Sequence, residues 1–325
     1  MGTTGSQVIL GSAPRPRRVS WLARTVLGAE TKGQVSEALA AYMFLSPWLL
    51  GLLLFFGGPI IASLVLSFYD YSLVKAPEFV GLANFVTAFT DDKLFWPSLG
   101  RTFYWAILYT PTVVLGSLLL AVLLNQHLTA TNFFRTLFFL PHLTPSVALA
   151  VLWGFILHPR LGPVNYGLRL IGIEGPGWLA SEKWAMPALI IMGLWGGLGG
   201  NRMLIFLAGL QGVPQELYEA AEIDGSGSWS KFRHITVPMI SPVVFFNLIL
   251  GIIGSLQVFT TAFVATQGGP NYATWFLALH IYNQAFRYFR LGYGSMLAWI
   301  LASILVVFTY IQMKLSNRWV YYAAS

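Results

Sequence analysis

The sequence has no cysteine and few charges, and both absences are informative. Without cysteine there is no disulfide, no thiolate nucleophile and no thiolate metal ligand. Only 10% of the 325 residues are charged, whereas soluble domains carry about 25%, so a soluble globular fold is excluded. The twelve acids all fall outside the long apolar runs. That argues against paired-carboxylate catalysis and against a proton-coupled carrier. The five histidines are scattered and no H-E-x-x-H occurs, so no metal site and no catalytic residue is expected. The run Gly225-Ser226-Gly227-Ser228-Trp229-Ser230-Lys231 imitates a phosphate loop. It fails because Ser230 precedes the lysine and Phe232 follows it.

What remains is long apolar sequence. No Asp, Glu, Lys or Arg occurs in 38–69, 102–134, 136–159, 184–201, 234–286 or 291–313. A bilayer core needs about 20 mostly apolar residues per helix. The runs are continuous rather than alternating, which favours helices over a closed barrel. The chain therefore reads as an all-α membrane protein with about six transmembrane helices, near 40–68, 103–125, 135–157, 186–209, 238–262 and 291–313. The run 234–286 is too long for one span, and Gln267-Gly268-Gly269-Pro270-Asn271 should break it. Thr274 to Phe286 is then either an extra short helix at the interface or part of a further, seventh span. Prolines 47, 59, 111, 141 and 145 should bend their spans. The glycines 193, 196, 197, 199 and 200 leave one side of the fourth span bare, a packing device first of all.

Residues 1–36 read as a basic tail, 37–315 as the membrane domain and 316–325 as a short C-terminal tail. Arg15, Arg17, Arg18, Arg24 and Lys32 place the N-terminus in the cytoplasm. With that orientation 11 Lys/Arg lie inside and eight outside, both termini are cytoplasmic, and the chain is multi-pass in the cytoplasmic membrane. A pI near 9.6 needs no nucleic acid, because a basic tail beside anionic membrane lipid accounts for it.

One charged segment interrupts the apolar sequence, 212–238. Pro214 suits a helix start and Glu216 its first turn. Gly225 suits a left-handed C-terminal cap, and Ser226 and Ser228 are candidate N-caps for a second helix. Trp229, Phe232 and Ile235 would share that helix's face. The segment reads as two short amphipathic helices around a glycine turn, on the cytoplasmic side where a soluble partner could dock.

Glu219-Ala220-Ala221, three residues, Gly225, nine residues and Ile235-Thr236-Val237-Pro238 resemble the EAA loop of ABC importer permeases; Val237 stands where the family has leucine, and Ser226 where it usually has alanine. "LIFLAGLQGVPQELYEAAEIDG" (204–225), "TQGGPNYAT" (266–274), "FVGLANF" (79–85) and "RTLFFLPHLTPSVALAVLW" (135–153) resemble the carbohydrate-uptake branch, the maltose and glycerol-phosphate type. The resemblance covers about 40–315. It implies a type I permease fold, a second permease subunit, two copies of a cytoplasmic ATPase carrying ATP and Mg, an extracytoplasmic solute-binding protein, and a sugar as cargo. It also implies that Glu219 and Gly225, supported by Ala220, Ala221, Asp224, Trp229 and Phe232, couple the chain to the ATPase.

Sugars present hydroxyls and apolar ring faces, so their pathway wants polar side chains beside aromatics. Asn201, Asn247, Ser255, Gln257, Thr260 and Thr261 are the polar candidates, with Trp153, Trp195, Phe259 and Trp299 nearby. Gln257 with Phe259 is the leading pair. It falls on the part of the fifth span that lines the pathway in maltose-type permeases. Trp153 and Trp299 have a second reading as interface anchors, and His142 reads as structural. Arg202, taken to lie near the cytoplasmic end, leaves the cavity without a cation, so a neutral sugar is favoured over a phosphorylated one. A glycerol-phosphate permease, a stand-alone secondary carrier and a scaffold are the other readings.

Overall fold

The structure is a computed structural model and describes residues 32–126 and 130–321. The basic tail before Lys32 lies outside them. The chain divides into two units, 1–62 and 63–325, each described by itself.

The first unit holds α1 (Lys32–Leu52), a wide π-turn (Leu53–Gly57) and most of α2 (Gly58–Leu66), together long and apolar enough to cross a membrane. Residues 32–36, expected in the polar tail, are helical instead.

The second unit opens on a hairpin that the apolar runs do not foretell. Strands β1 (Tyr69–Ser72) and β2 (Lys75–Phe79) pair antiparallel, with Tyr69 opposite Phe79. Asn84 at the start of α3 (Ala83–Thr90) donates from Nδ2 to the carbonyls of Ser67 and Tyr69 and ties the hairpin down. Then come α4 (Phe95–Leu124), the bent pair α5 (Thr131–Leu143) and α6 (Ser146–Ile156), α7 (Pro163–Leu170), and the bent pair α8 (Glu182–Gly197) and α9 (Asn201–Gln211). The short α10 (Gln215–Ile223), α11 (Ser228–Lys231) and α12 (Val237–Met239) follow. The last four are α13 (Ser241–Leu256), α14 (Thr260–Ala265), α15 (Leu277–Tyr282) and α16 (Leu291–Ser316).

Among the described residues four helical stretches are apolar and long enough to span, and the two bent pairs make six. The expected third and fourth spans are broken more sharply than a proline kink. α5 and α6 meet at 96° and α8 and α9 at 49°. The first break follows from Pro145, which forces Thr144 out of the helical region to φ −72°, ψ 128°. The second sits at Gly199 and Gly200. A side chain on Gly199 would overlap the Phe138 carbonyl, and one on Gly200 would meet the His142 ring at 2.7 Å. The glycine-rich side of α8 is thus a packing surface, as read, and it also lets α5 run against the break.

The longest helix, α4, is the hub. Val113, Leu118 and Ala121 pack on Met203, Phe206 and Leu207 of α9, and Trp105 packs with Leu189, Met192 and Phe276. α15 is no surface helix: Leu277, Leu279 and His280 are buried. Its amide at Leu277 donates to Thr102 Oγ1 at 2.9 Å. The Gln267–Asn271 cluster does break the run, with Gln267, Gly268 and Asn271 all at positive φ.

Where α4 begins, a buried polar knot joins three elements. Asp92 Oδ2 accepts from His280 Nε2 at 2.7 Å and from the Tyr293 hydroxyl at 2.6 Å. Its Oδ1 accepts from the Leu94 amide at 2.9 Å. Trp275 Nε1 donates to His280 Nδ1 at 3.1 Å, so that nitrogen must offer its lone pair and the imidazole is the neutral Nε2–H tautomer. Burial works against the Asp92 charge, but the hydrogen bonds from His280, Tyr293 and Leu94 outweigh it and hold the carboxyl well below the usual carboxylate range.

Candidate functional site

Two places have the geometry for function: the paired helices after α9, and a cleft at the centre of the bundle.

The paired helices lie at the end of the bundle where α4 finishes. Gln215 and Tyr218 share a cavity of about 740 Å³ with Asn125, Asn132 and Arg135. α10 closes on Gly225, whose φ of +76° a residue with a side chain adopts only under strain. The Gly225 amide bonds the Glu222 carbonyl, and the Ser226 amide reaches back to Ala221 at 2.8 Å, a complete Schellman cap. The N-cap of α11 is Gly227, with no side-chain bond. Ser226 and Ser228 are therefore not caps: Ser226 is taken up in closing α10, and Ser228 is already helical. α11 continues through a π-turn (Phe232–Thr236) into α12. This turn changes the face on which Ile235 falls relative to Trp229 and Phe232. Those two rings stack at 5.7 Å.

The two arms are locked together. The Tyr218 hydroxyl and Thr236 Oγ1 lie 2.9 Å apart, and Lys231 Nζ bonds Glu222 Oε1 at 2.6 Å. What the clamp presents is open. Glu219, Ala220 and Asp224 are exposed, Ile223 is 88% and Trp229 70% exposed, and Ala221 and Phe232 are half-buried. Among the described residues neither Glu219 nor Asp224 has a side-chain partner. A rigid element displaying a bare tryptophan and unpaired carboxylates is shaped to receive another surface.

The central cleft is about 250 Å³ and is lined by Tyr109 of α4, His142 of α5, Ser146 of α6, Gly193, Gly196 and Gly197 of α8, Arg202 of α9 and Thr261 of α14, among others. Both breaks open onto it, so the ends of four half-helices meet there. Tyr109 is midway along α4, and the Arg202 guanidinium reaches to the level of Gly251 in mid-α13. Arg202 is therefore not at the end of the bundle, which corrects its placement from sequence. Its first-turn position on α9 sends the side chain back toward the break and the middle of the span. His142 likewise borders the cleft instead of lying only in packing.

Of the polar residues proposed for the pathway, Thr261 lines this cleft. Gln257 is exposed at the break between α13 and α14. Its expected companion Phe259 turns instead into an aromatic cluster, 5.1 Å from both Phe263 and Tyr282. Asn247 and Ser255 are buried and bond carbonyls of their own helix, Val243 and Ile252. Thr260 and Asn201 are the first residues of α14 and α9, the former half-buried and the latter exposed. Trp153 and Trp195 meet edge to face at 6.1 Å, with Trp195 57% exposed. Trp299 donates to Ser63 Oγ at 3.2 Å. The candidates thus do not converge on one site. The missed residues, Tyr109, His142 and Arg202, were signalled by Pro145 and by the Gly199-Gly200 pair, which mark where spans break.

Residues 93–321 match the family model described as "Binding-protein-dependent transport system inner membrane component". The chain is 38% identical over 290 residues to the "Probable ABC transporter permease protein YesP" of Bacillus subtilis (strain 168), covering 88% of this chain and 93% of that protein. It is 34% identical over 288 residues to the "Arabinooligosaccharides transport system permease protein AraP" of the same organism, covering 87% and 90%. Its backbone is similar to a chain of a solved bacterial ABC transporter involved in the import of the acidic polysaccharide alginate. The TM-score is 0.79 and the identity 24%, over 88% of this chain and 98% of that one. The expected permease fold is the fold observed.

Proposed function

This chain belongs to the family of binding-protein-dependent transport system inner membrane components, and on that premise we propose that it is a transmembrane subunit of an ATP-driven importer of a sugar or oligosaccharide. It is a multi-pass transport component and not an enzyme. The observation that carries the coupling is the locked, exposed clamp of α10 and α11, with Glu219 unpaired and Trp229 70% exposed. In this reading the clamp seats in a cytoplasmic ATPase dimer, and ATP and Mg stay on those partners. Both termini are then cytoplasmic, and Asp92 marks the extracytoplasmic end, where a solute-binding protein delivers cargo. Closure of the ATPases pushes on the clamp. Because Tyr218, Thr236 and the Glu222–Lys231 pair hold its arms together, the push passes into α9 and α13 as a lever and changes access to the central cleft between this chain and a second permease. The name of the arabinooligosaccharide relative supports a saccharide as cargo.

The test is a mild-detergent pull-down of the tagged chain from its native membrane, comparing wild type with a Glu219→Ala, Gly225→Pro double variant. Proline cannot take the positive φ of Gly225. The expected result is an ATPase and a second permease with wild type, and loss of the ATPase alone in the variant. A chain that purifies alone, or an ATPase that stays with the variant, refutes the clamp as the docking element.

A further inference from the structure

Resting on the importer reading, we infer that the central cleft is selective for an acidic saccharide and that Arg202 pairs with the carboxylate of a uronate residue as it passes.

The argument starts from an unbalanced charge. Arg202 brings a guanidinium to mid-span, where a cation is costly unless paired. Its Nε is buried with no hydrogen-bond partner. No Asp or Glu lines the cleft, and among the described residues no acid lies in the interior of a span. The polar side chains that share the cleft with the guanidinium are Tyr109, His142, Ser146 and Thr261. The Tyr109 hydroxyl lies beside it and itself donates to the Gly193 carbonyl at 3.4 Å. The helix ends add charge of the same sign: Ser146 and Arg202 belong to the first turns of α6 and α9, and neither helix carries a side-chain cap. Broken spans whose half-helix starts face a cavity are a recurrent way of meeting an anionic group in a transporter.

The chemistry of the anion follows from the count. A guanidinium binds a carboxylate through two parallel hydrogen bonds, and one cation matches its single charge. A phosphate ester carries about −1.5 to −2, more than the one guanidinium of the cleft balances by itself. The part of the cleft within this chain, about 250 Å³, has room for one sugar ring. Tyr109, Ser146 and Thr261 supply hydroxyls for the ring, and Met192 and Leu149 supply apolar surface.

The test uses cells of the source organism with the whole importer in place. Depletion of saccharides from the medium is followed by chromatography for galacturonate and mannuronate di- to tetrasaccharides, their methyl esters and neutral oligosaccharides of equal length. The strains carry wild type, a deletion of this chain, Arg202→Gln and Arg202→Lys, compared at equal membrane abundance. The expected result is uptake of an acidic saccharide that depends on this chain and falls about tenfold or more both on esterification and in Arg202→Gln, the factor expected for losing a charge-assisted hydrogen bond. Arg202→Lys keeps the charge without the fork and is intermediate. Should Arg202→Gln fail to reach the membrane, the wild-type preference and Arg202→Lys still decide. Chain-dependent uptake of neutral or esterified sugars as fast as the acids, or equal loss of both classes in Arg202→Gln, overturns the inference. A deletion that changes uptake of no saccharide removes the importer reading itself, which is a separable outcome.

Discussion

The two ends of this bundle handle polar groups in opposite ways. At the start of α4, the Asp92 carboxylate is enclosed and fully engaged by His280, Tyr293 and the Leu94 amide, and His280 is in turn fixed by Trp275. At the other end, Glu219 and Asp224 stand exposed without partners beside a bare Trp229. Buried polar groups that are all satisfied hold a fold together and leave little to offer a ligand. Exposed groups on a rigid frame cost the fold little and remain free to bind. The first pattern reads as architecture and the second as a docking surface, and mutations should separate them cleanly.

The largest expected effect is on the architectural side. Asp92→Ala leaves the His280 and Tyr293 donors buried with no acceptor, and each buried group left unsatisfied costs about 1–3 kcal/mol. Thermal unfolding of the purified chain should show this loss, while the wild-type clamp should still capture the ATPase. An unchanged unfolding temperature would break the contrast between the two ends. The pH dependence sharpens it. The folded Asp92 carboxyl is held below its ordinary value of 3.8. Its contribution is therefore complete above that value and is lost as the pH falls from there toward the lower folded value. Wild-type stability should decline below about pH 4 through this group, and Asp92→Asn should flatten that part of the profile.

Next comes Trp229→Ala, on the docking side. Interface tryptophans are frequent hot spots, with losses of about 2 kcal/mol or more on truncation. Binding of the partner ATPase, measured by titration in detergent, should weaken by that order while the unfolding temperature stays put. A variant that loses stability and keeps its affinity would show Trp229 to be packing.

Much of this was legible in the sequence, and the illegible part has physical causes. Charge-free runs located the four long spans and most of the two bent pairs because a bilayer demands length and apolarity before anything else. Gly225 was legible because only a few residues tolerate its backbone. The hairpin at 69–79 was not, since its alternation covers few residues and Pro77 and Gly81 obscure it. The Asp92 knot was invisible because its members are separated by nearly 200 positions, and no local pattern links Asp92 to His280 or Tyr293. Arg202 was misplaced for a related reason. Counting along the chain sets the depth of a Cα, whereas a long side chain that starts at a helix break works at another depth.

Within the clamp, the effects should be smaller and graded. Tyr218→Phe removes the bond to Thr236 and keeps the ring, a loss of about 1 kcal/mol for a partly buried hydrogen bond. The two arms should part more readily. Hydrogen exchange at the 228–236 amides should quicken while the amides of α4 stay unchanged, and transport per ATP hydrolysed should fall because a looser lever transmits less of the push.

The smallest effect belongs to the Lys231–Glu222 pair, 2.6 Å long but with Glu222 side chain 63% exposed. Exposed ion pairs contribute about 0–1 kcal/mol and are screened by salt. Lys231→Ala should therefore leave the unfolding temperature nearly unmoved and lower the coupling of ATP hydrolysis to transport only slightly. Half-molar salt should bring the wild type to the same value. If Lys231→Ala instead abolished coupling as Gly225→Pro should, Lys231 would be a contact to the ATPase in its own right, and the clamp would grip its partner through its basic arm as well as its acidic one.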